Sequence, residues 1–232
     1  MKSLSKELAD IRDTFSCTIK EGETLYKLAM KSKEAIVEIG SWKGYSTIWL
    51  AKGSKAGNNV RIYAIDTFDG DIHNFVTGEG ETYKTFVKNA IDKGVEDIIV
   101  AKVMKSEAAE KSINFSIGLL WIDGDHEDVE KDFARWYPHV VVGGTIALHD
   151  TVYGYDMKPY KVAVKELYKS GKFADVKRVG CITHGRKVSQ LSVGKKIGNK
   201  LSLYSRYIYQ FYISYYTKCL IFGAKCLGRQ EC

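Results

Sequence analysis

Five apolar runs in this chain end in segments that could do chemistry. The first gives Glu38 and Gly40-Ser41-Trp42-Lys43-Gly44, the second Asp66-Thr67-Phe68-Asp69-Gly70, and the third Met104-Lys105-Ser106. The fourth gives Asp123-Gly124-Asp125-His126 and the fifth His149-Asp150-Thr151. Four of the five carry an acid. Carboxylates at such positions can accept ribose hydroxyls, pair with an ammonium group, or ligate a hard cation. Histidine titrates near neutral pH, so His126 is the candidate general base and His149 the second choice. Gly40 and Gly44 permit a tight turn and close approach of a ligand to the backbone. Their G-x-x-x-G spacing is not the G-x-G-x-x-G phosphate cradle of a dinucleotide site, which argues against a nicotinamide-dependent oxidoreductase. Asp66 follows the loop by about 20 residues, where an acid can hold a ribose. Loop and acid together support a nucleoside ligand.

Residues in this pattern must be delivered by an alternating fold. The apolar runs Ala35–Ile39, Val60–Ile65, Ile98–Val103, Ile117–Ile122 and Val140–Leu148 read as buried parallel strands. Helical spacing falls between them at Tyr45–Lys52, Glu81–Asp92, Glu107–Lys111 and Val129–Tyr137, and then at Tyr160–Ser170. Phe86, Ala90 and Ile91 are the expected buried face of one helix, and Val164, Leu167 and Tyr168 that of another. Two helices, around Leu4–Asp13 and Glu21–Lys33, precede the first strand, with Leu25, Leu28 and Ala29 on one face of the second. Alternation of this kind gives a doubly wound α/β sheet, whose ligands sit beyond the carboxyl ends of the strands. Ala174–Cys181 and Lys187–Val193 are two final strands with no helix between them, which predicts an antiparallel hairpin at one edge. The order of the strands is not readable from the pattern.

Val37-Glu38-Ile39-Gly40-Ser41-Trp42-Lys43-Gly44-Tyr45-Ser46-Thr47 resembles the first S-adenosylmethionine (SAM) motif of class I methyltransferases. Tyr63-Ala64-Ile65-Asp66-Thr67-Phe68 is similar to the second. Ile122-Asp123-Gly124-Asp125-His126, Trp136-Tyr137-Pro138 and Gly143-Gly144-Thr145-Ile146-Ala147-Leu148-His149-Asp150 resemble the D-G-D-H subgroup, methyltransferase domain family 24. The likeness runs from about Lys33 to Val193. It implies a Rossmann-like sheet of seven strands, mostly parallel with an antiparallel last strand. It implies that Glu38, Gly40, Ser41 and Gly44 line the methionine part of SAM, with Glu38 toward its amino group. Asp66 would hold the ribose, with Thr67 and Phe68 beside the adenine, and Ser106 would be the adenine-side residue after the third strand. For Phe68, plain core packing is an equal alternative. Asp123 and Asp150 resemble the magnesium-binding aspartates of metal-dependent O-methyltransferases. Thr151 stands where catechol-type enzymes have Asn, so the third ligand falls to Thr151 or His149. The alternative for the two aspartates is ordering of the loops and of the SAM amino group, Asp123 in particular.

The chain has 232 residues, 45% hydrophobic and 27% charged, ordinary for a folded protein with a full core. Seven of its 35 Lys and Arg, but only one of its 28 Asp and Glu, lie from Lys195 onward. The body is therefore nearly neutral, and the basic excess gives no reason to expect nucleic acid on the main domain. Three segments follow: a helical cap over 1–33, the methyltransferase-like domain over 34–194, and a basic, tyrosine-rich helical extension over 195–232. Tyr204, Ile208, Phe211, Tyr215 and Cys219 fall on one helical stripe of that extension. It suits a membrane interface, or packing on the domain or on a second subunit in a homo-oligomer; stacking on nucleic acid is a weaker third choice. Five cysteines, odd in number and without zinc spacing, read as reduced thiols, and the polar N-terminus does not resemble a secretory signal. A cytoplasmic location, peripheral to a membrane at most, is expected.

The expected function is SAM-dependent O-methylation of a small-molecule or sugar (glycan) hydroxyl, with Mg²⁺ as a further cofactor. A noncatalytic module working through its tail is the competing reading. Residues 71–80 and 152–159 are the expected acceptor cover.

Overall fold

The computed structural model describes residues 2–13, 16–69, 81–152 and 157–227. Seven strands form one sheet: β1 (Ala35–Ile39), β2 (Ile62–Asp66), β3 (Ile99–Val103), β4 (Ile117–Ile122), β5 (Val140–Leu148), β6 (Phe173–Val179) and β7 (Ile182–Lys187). Their order is β3-β2-β1-β4-β5-β7-β6. β1 to β5 are parallel, and β7 runs antiparallel to both β5 and β6. The chain reverses its direction of winding between β1 and β4. That is the switch point where a crevice opens at the strand ends.

The sheet is buried on both faces because its strands are apolar at successive positions. Val37, Ile39, Leu120, Ile122, Ile146 and Leu148 point to one side, against Phe133, Trp136 and Leu167. Ile36, Ile62, Leu119, Trp121 and Ala147 point to the other, against Leu25, Ile48 and Trp49. Truncating a fully buried tryptophan such as Trp121 to Ala should cost about 3–5 kcal/mol.

The helices are α1 (Lys2–Glu7), α2 (Ile19–Lys31), α3 (Tyr45–Ala56), α4 (Glu81–Asp92), α5 (Ser106–Glu110), α6 (Val129–Trp136), α7 (Met157–Val162, continued by a π turn over Ala163–Lys169) and α8 (Val193–Leu227). α2 starts with a capping box, Thr18 and Glu21 each bonding the other's backbone N–H. It buries Leu25 and Ala29, with Leu28 partly buried beside them. Phe86 and Ala90 of α4 are buried as expected, but Ile91 is 55% exposed. The first N-terminal helix is shorter than the expected Leu4–Asp13, ending at Glu7 with a 3₁₀ turn over Ala9–Ile11.

One strand lies elsewhere than the sequence pattern placed it. The last strand is Ile182–Lys187, not Lys187–Val193, and Val193 opens α8. The hairpin turns on Gly180 and Cys181. Gly180 has φ +58, and a Cβ there would lie 2.2 Å from Glu21 Oε1. Two residues with glycine in a left-handed conformation are a tight hairpin connection, which shortens β6 and draws β7 forward.

α8 climbs along β6 from the N-terminal to the C-terminal edge of the sheet. Asn199 Nδ2 donates to Phe173 O (2.7 Å), Ser202 Oγ to Val176 O (3.0 Å) and Arg206 Nη1 to Thr183 Oγ1 (2.8 Å). Thr183 pairs with Leu148, at the end of β5.

Candidate active site

The glycine loop after β1 is held in shape from two sides. Gly40 (φ +83) packs so tightly that a Cβ would lie 2.3 Å from the carbonyl oxygen of Asp123. Gly44 (φ +88) opens α3 and would meet Phe86 at 2.9 Å. Both positions require glycine by conformation and by space. From inside, Glu38 is fully buried and accepts hydrogen bonds from Ser41 Oγ (2.9 Å), Ser46 Oγ (2.6 Å) and Thr47 Oγ1. Burial pushes its carboxyl up to about 7, although these three hydroxyls pull the other way. From outside, Asp66 Oδ2 accepts from the N–H groups of Ser41 and Trp42, both at 2.8 Å, and its Oδ1 from the Phe68 N–H at 2.8 Å. Asp66 thus ties the ends of β1 and β2 together.

Several residues named from the sequence have internal tasks. Phe68 is buried against Phe86 (ring centroids 5.0 Å) and Tyr83 (5.1 Å), the packing alternative rather than an open platform. Thr67 donates to Asp69. Ser106 Oγ donates to Asp132 Oδ1 (2.6 Å) and accepts from Trp136 Nε1 (2.8 Å). Thr151 is fully buried, and its hydroxyl donates to Cys181 O (2.7 Å) beside Thr183 Oγ1 (2.6 Å). That hydroxyl is thus hydrogen-bonded on the β5–β7 side.

The ends of β4 and β5 bring four groups together. His149 Nδ1 lies 2.9 Å from Asp123 Oδ1 and 3.4 Å from Asp150 Oδ2. His126 Nε2 lies 3.1 Å from the same Asp150 oxygen. Asp150 has φ +47, a conformation uncommon outside glycine and concentrated at functional sites. One ligand atom each from Asp123, His149 and Asp150 falls within 4.8 Å of the others. The two carboxylates suit a hard divalent ion such as magnesium, and the imidazole shifts the donor set toward a transition ion.

The N-terminal segment closes this cluster, which the sequence did not foretell. Glu21, 2% exposed, places Oε2 3.8 Å from His149 Nε2 and accepts from the Cys181 N–H. Burial disfavours its charge, but the nearby His149 ring and hydrogen bonds from Cys181 and Thr18 hold it at about 2. Burial alone would lower the His149 pKa. Asp123, Asp150 and Glu21 outweigh it and raise the imidazole well above its ordinary value. Burial raises the Asp123 carboxyl, and the imidazolium beside it opposes that rise. Asp150 is held well below the usual carboxylate range: burial is overcome by hydrogen bonds from His126 and His149. Asp13 adds contacts to the glycine loop through Trp42 Nε1 (3.2 Å) and Lys43 Nζ (3.5 Å). The expected acceptor cover at 71–80 lies outside the described residues, as does 153–156 of the second loop.

A doubly wound sheet of this order, with an acid-lined glycine loop at its switch point, defines the class I SAM-dependent methyltransferases. Residues 37–151 match the model of a methyltransferase domain, and the chain carries a SAM-dependent methyltransferase domain. Among solved structures, the chain is similar to an O-methyltransferase from Bacillus cereus in complex with SAH. That match has 17% identity, covers 80% of this chain and 91% of the other, and has a TM-score of 0.59. It is similar also to the O-methyltransferase TomG from Streptomyces achromogenes, in complex with SAM (17% identity, 81% and 89% covered, TM-score 0.60). Cofactor-bound Rv0187 from MTB matches at 17% identity over 80% and 88%, with a TM-score of 0.61.

Proposed function

We propose that this protein transfers the methyl group of SAM to a hydroxyl of a small molecule or sugar. The observation that carries this reading is the His126–Asp150 pair, set at the strand ends beside Asp123 and the glycine loop. SAM, when bound, supplies a sulfonium methyl carbon that an oxygen lone pair can attack, leaving a neutral thioether. Glu38, Asp66 and Asp123 make the loop's surroundings acidic, which suits a ligand with a sulfonium and an ammonium group. Asp150 holds the His126 ring through Nε2, and the imidazole in its neutral form would take the proton leaving the acceptor hydroxyl. His149 suits that role less well, since three carboxylates hold its own proton. Positioning supplies much of the remaining rate.

Asp123 and Asp150, with His149 once its Nδ1 gives up its proton, would hold a divalent ion, which would lower the acceptor hydroxyl's pKa and orient it. Titration calorimetry with SAM, followed by mass spectrometry of candidate hydroxyl acceptors, tests the reading. Absence of SAM binding overturns it. Full turnover in chelator would leave methyl transfer standing and remove the metal.

A further inference from the structure

We infer that the outer face of α8 docks on an anionic lipid surface. Asn199, Leu203 and Arg206 turn inward, and all three are buried. The opposite face carries Val193, Ile197, Leu201, Tyr204, Ile208 and Phe211, between 53% and 76% exposed. Their spacings of three and four residues make one continuous stripe along the helix. Six large apolar or aromatic side chains on one exposed seam are more than scattered surface hydrophobes explain.

Charge identifies the occupant. From Val193 to Leu227 the sequence has Lys195, Lys196, Lys200, Arg206, Lys218 and Lys225 and no Asp or Glu. Lys195 is paired with Asp175, and Arg206 is buried. Lys196 and Lys200 are exposed, on the turns that carry Ile197 and Leu201. A second copy of α8 would also match the three-four spacing, as in a coiled coil. It would bring the same positive charge with no acid to meet it. An anionic bilayer surface meets both features: it attracts the lysines, and it accepts tyrosines and aliphatic side chains at the headgroup boundary. The stripe runs along one side of α8, which suits an in-plane contact, and no described helix is long and apolar enough to cross a membrane. Arg206 sits level with Thr183 and the end of β5, so the docked helix stands beside the strand ends that carry the candidate site.

The test is co-sedimentation of the full chain with vesicles of phosphatidylglycerol and phosphatidylcholine, and with phosphatidylcholine alone. The full chain should bind the anionic vesicles and release them as salt rises. The paired substitution Leu201→Glu and Ile208→Glu should weaken binding about tenfold or more. Lys196→Gln and Lys200→Gln should each weaken it about fivefold. Both sites are exposed, so thermal melting of the variants should match the parent. Three results overturn the inference: no binding to anionic vesicles, equal binding by the Leu201/Ile208 variant, or a dimer in light scattering that the same variant dissociates without any vesicle binding.

Discussion

His149 Nδ1 sits 2.9 Å from Asp123 Oδ1, with Glu21 on the far side of the same ring at 3.8 Å. Three carboxylates around the ring thus favour its protonated form. Removing it leaves Asp123, Asp150 and Glu21 to repel one another in a buried place. His149→Gln should therefore lower stability by about 3 kcal/mol, the usual cost of orphaning a buried ion pair. The sign of the pH dependence follows from the raised pKa. Its contribution is complete below the unfolded histidine pKa of about 6.5 and is lost as pH rises through the folded value. Urea midpoints measured across neutral to alkaline pH should fall for the parent and stay flatter for His149→Gln.

Glu21 predicts the opposite limb. Its carboxyl moves from 4.5 to about 2 on folding, worth about 3 kcal/mol. A depressed pKa stabilises above the unfolded value and is lost as pH falls toward the folded one. Between about pH 5 and 2, the parent should lose this increment. Glu21→Gln should begin less stable near neutrality and show a shallower acid limb by circular dichroism. An acid limb as steep as the parent's would show that Glu21 is not the responsible group.

Much of this site was legible because it sits at strand ends. Ile117–Ile122 and Val140–Leu148 are apolar runs whose ends coincide with the observed β4 and β5. Their terminal acids had to converge once the strands were adjacent and parallel. Glu21 was not legible as a site residue, since its contact with His149 spans most of the chain. Its capping box with Thr18 is a local signal that reports a helix start and nothing of what the carboxylate meets beyond. The hairpin was misread for a related reason. Gly180 looked like part of a strand, and only the close seat against Glu21 explains the turn. The stripe on α8 was visible as a period of three and four, but periodicity does not say which face of a helix the domain covers. Asn199 and Arg206, polar by type, turned out to be the buried ones.

Asp66 accepts three backbone N–H groups from two loops, so its removal acts on loop shape as well as on any ribose contact. Asp66→Ala should lower SAM affinity at least about tenfold, since charge-assisted hydrogen bonds of this kind are worth about 1.5–3 kcal/mol each. Titration calorimetry gives the affinity, and amide exchange at Ser41 and Trp42 reports the loop. If exchange accelerates while affinity holds, Asp66 serves the loop alone.

His126 separates binding from proton transfer. Its ring pairs with Asp150 at the end of β5, whereas Glu38 and Asp66 shape the glycine loop. His126→Ala should leave SAM affinity within about twofold of the parent while kcat falls about 10²–10⁴-fold, the range for losing a positioned general base. Asp150→Asn gives a second reading of the same pair. An amide can still orient the ring but lends it no charge, so kcat should fall less than for His126→Ala. A His126→Ala enzyme with parental kcat and an unchanged pH profile would assign the proton to another group.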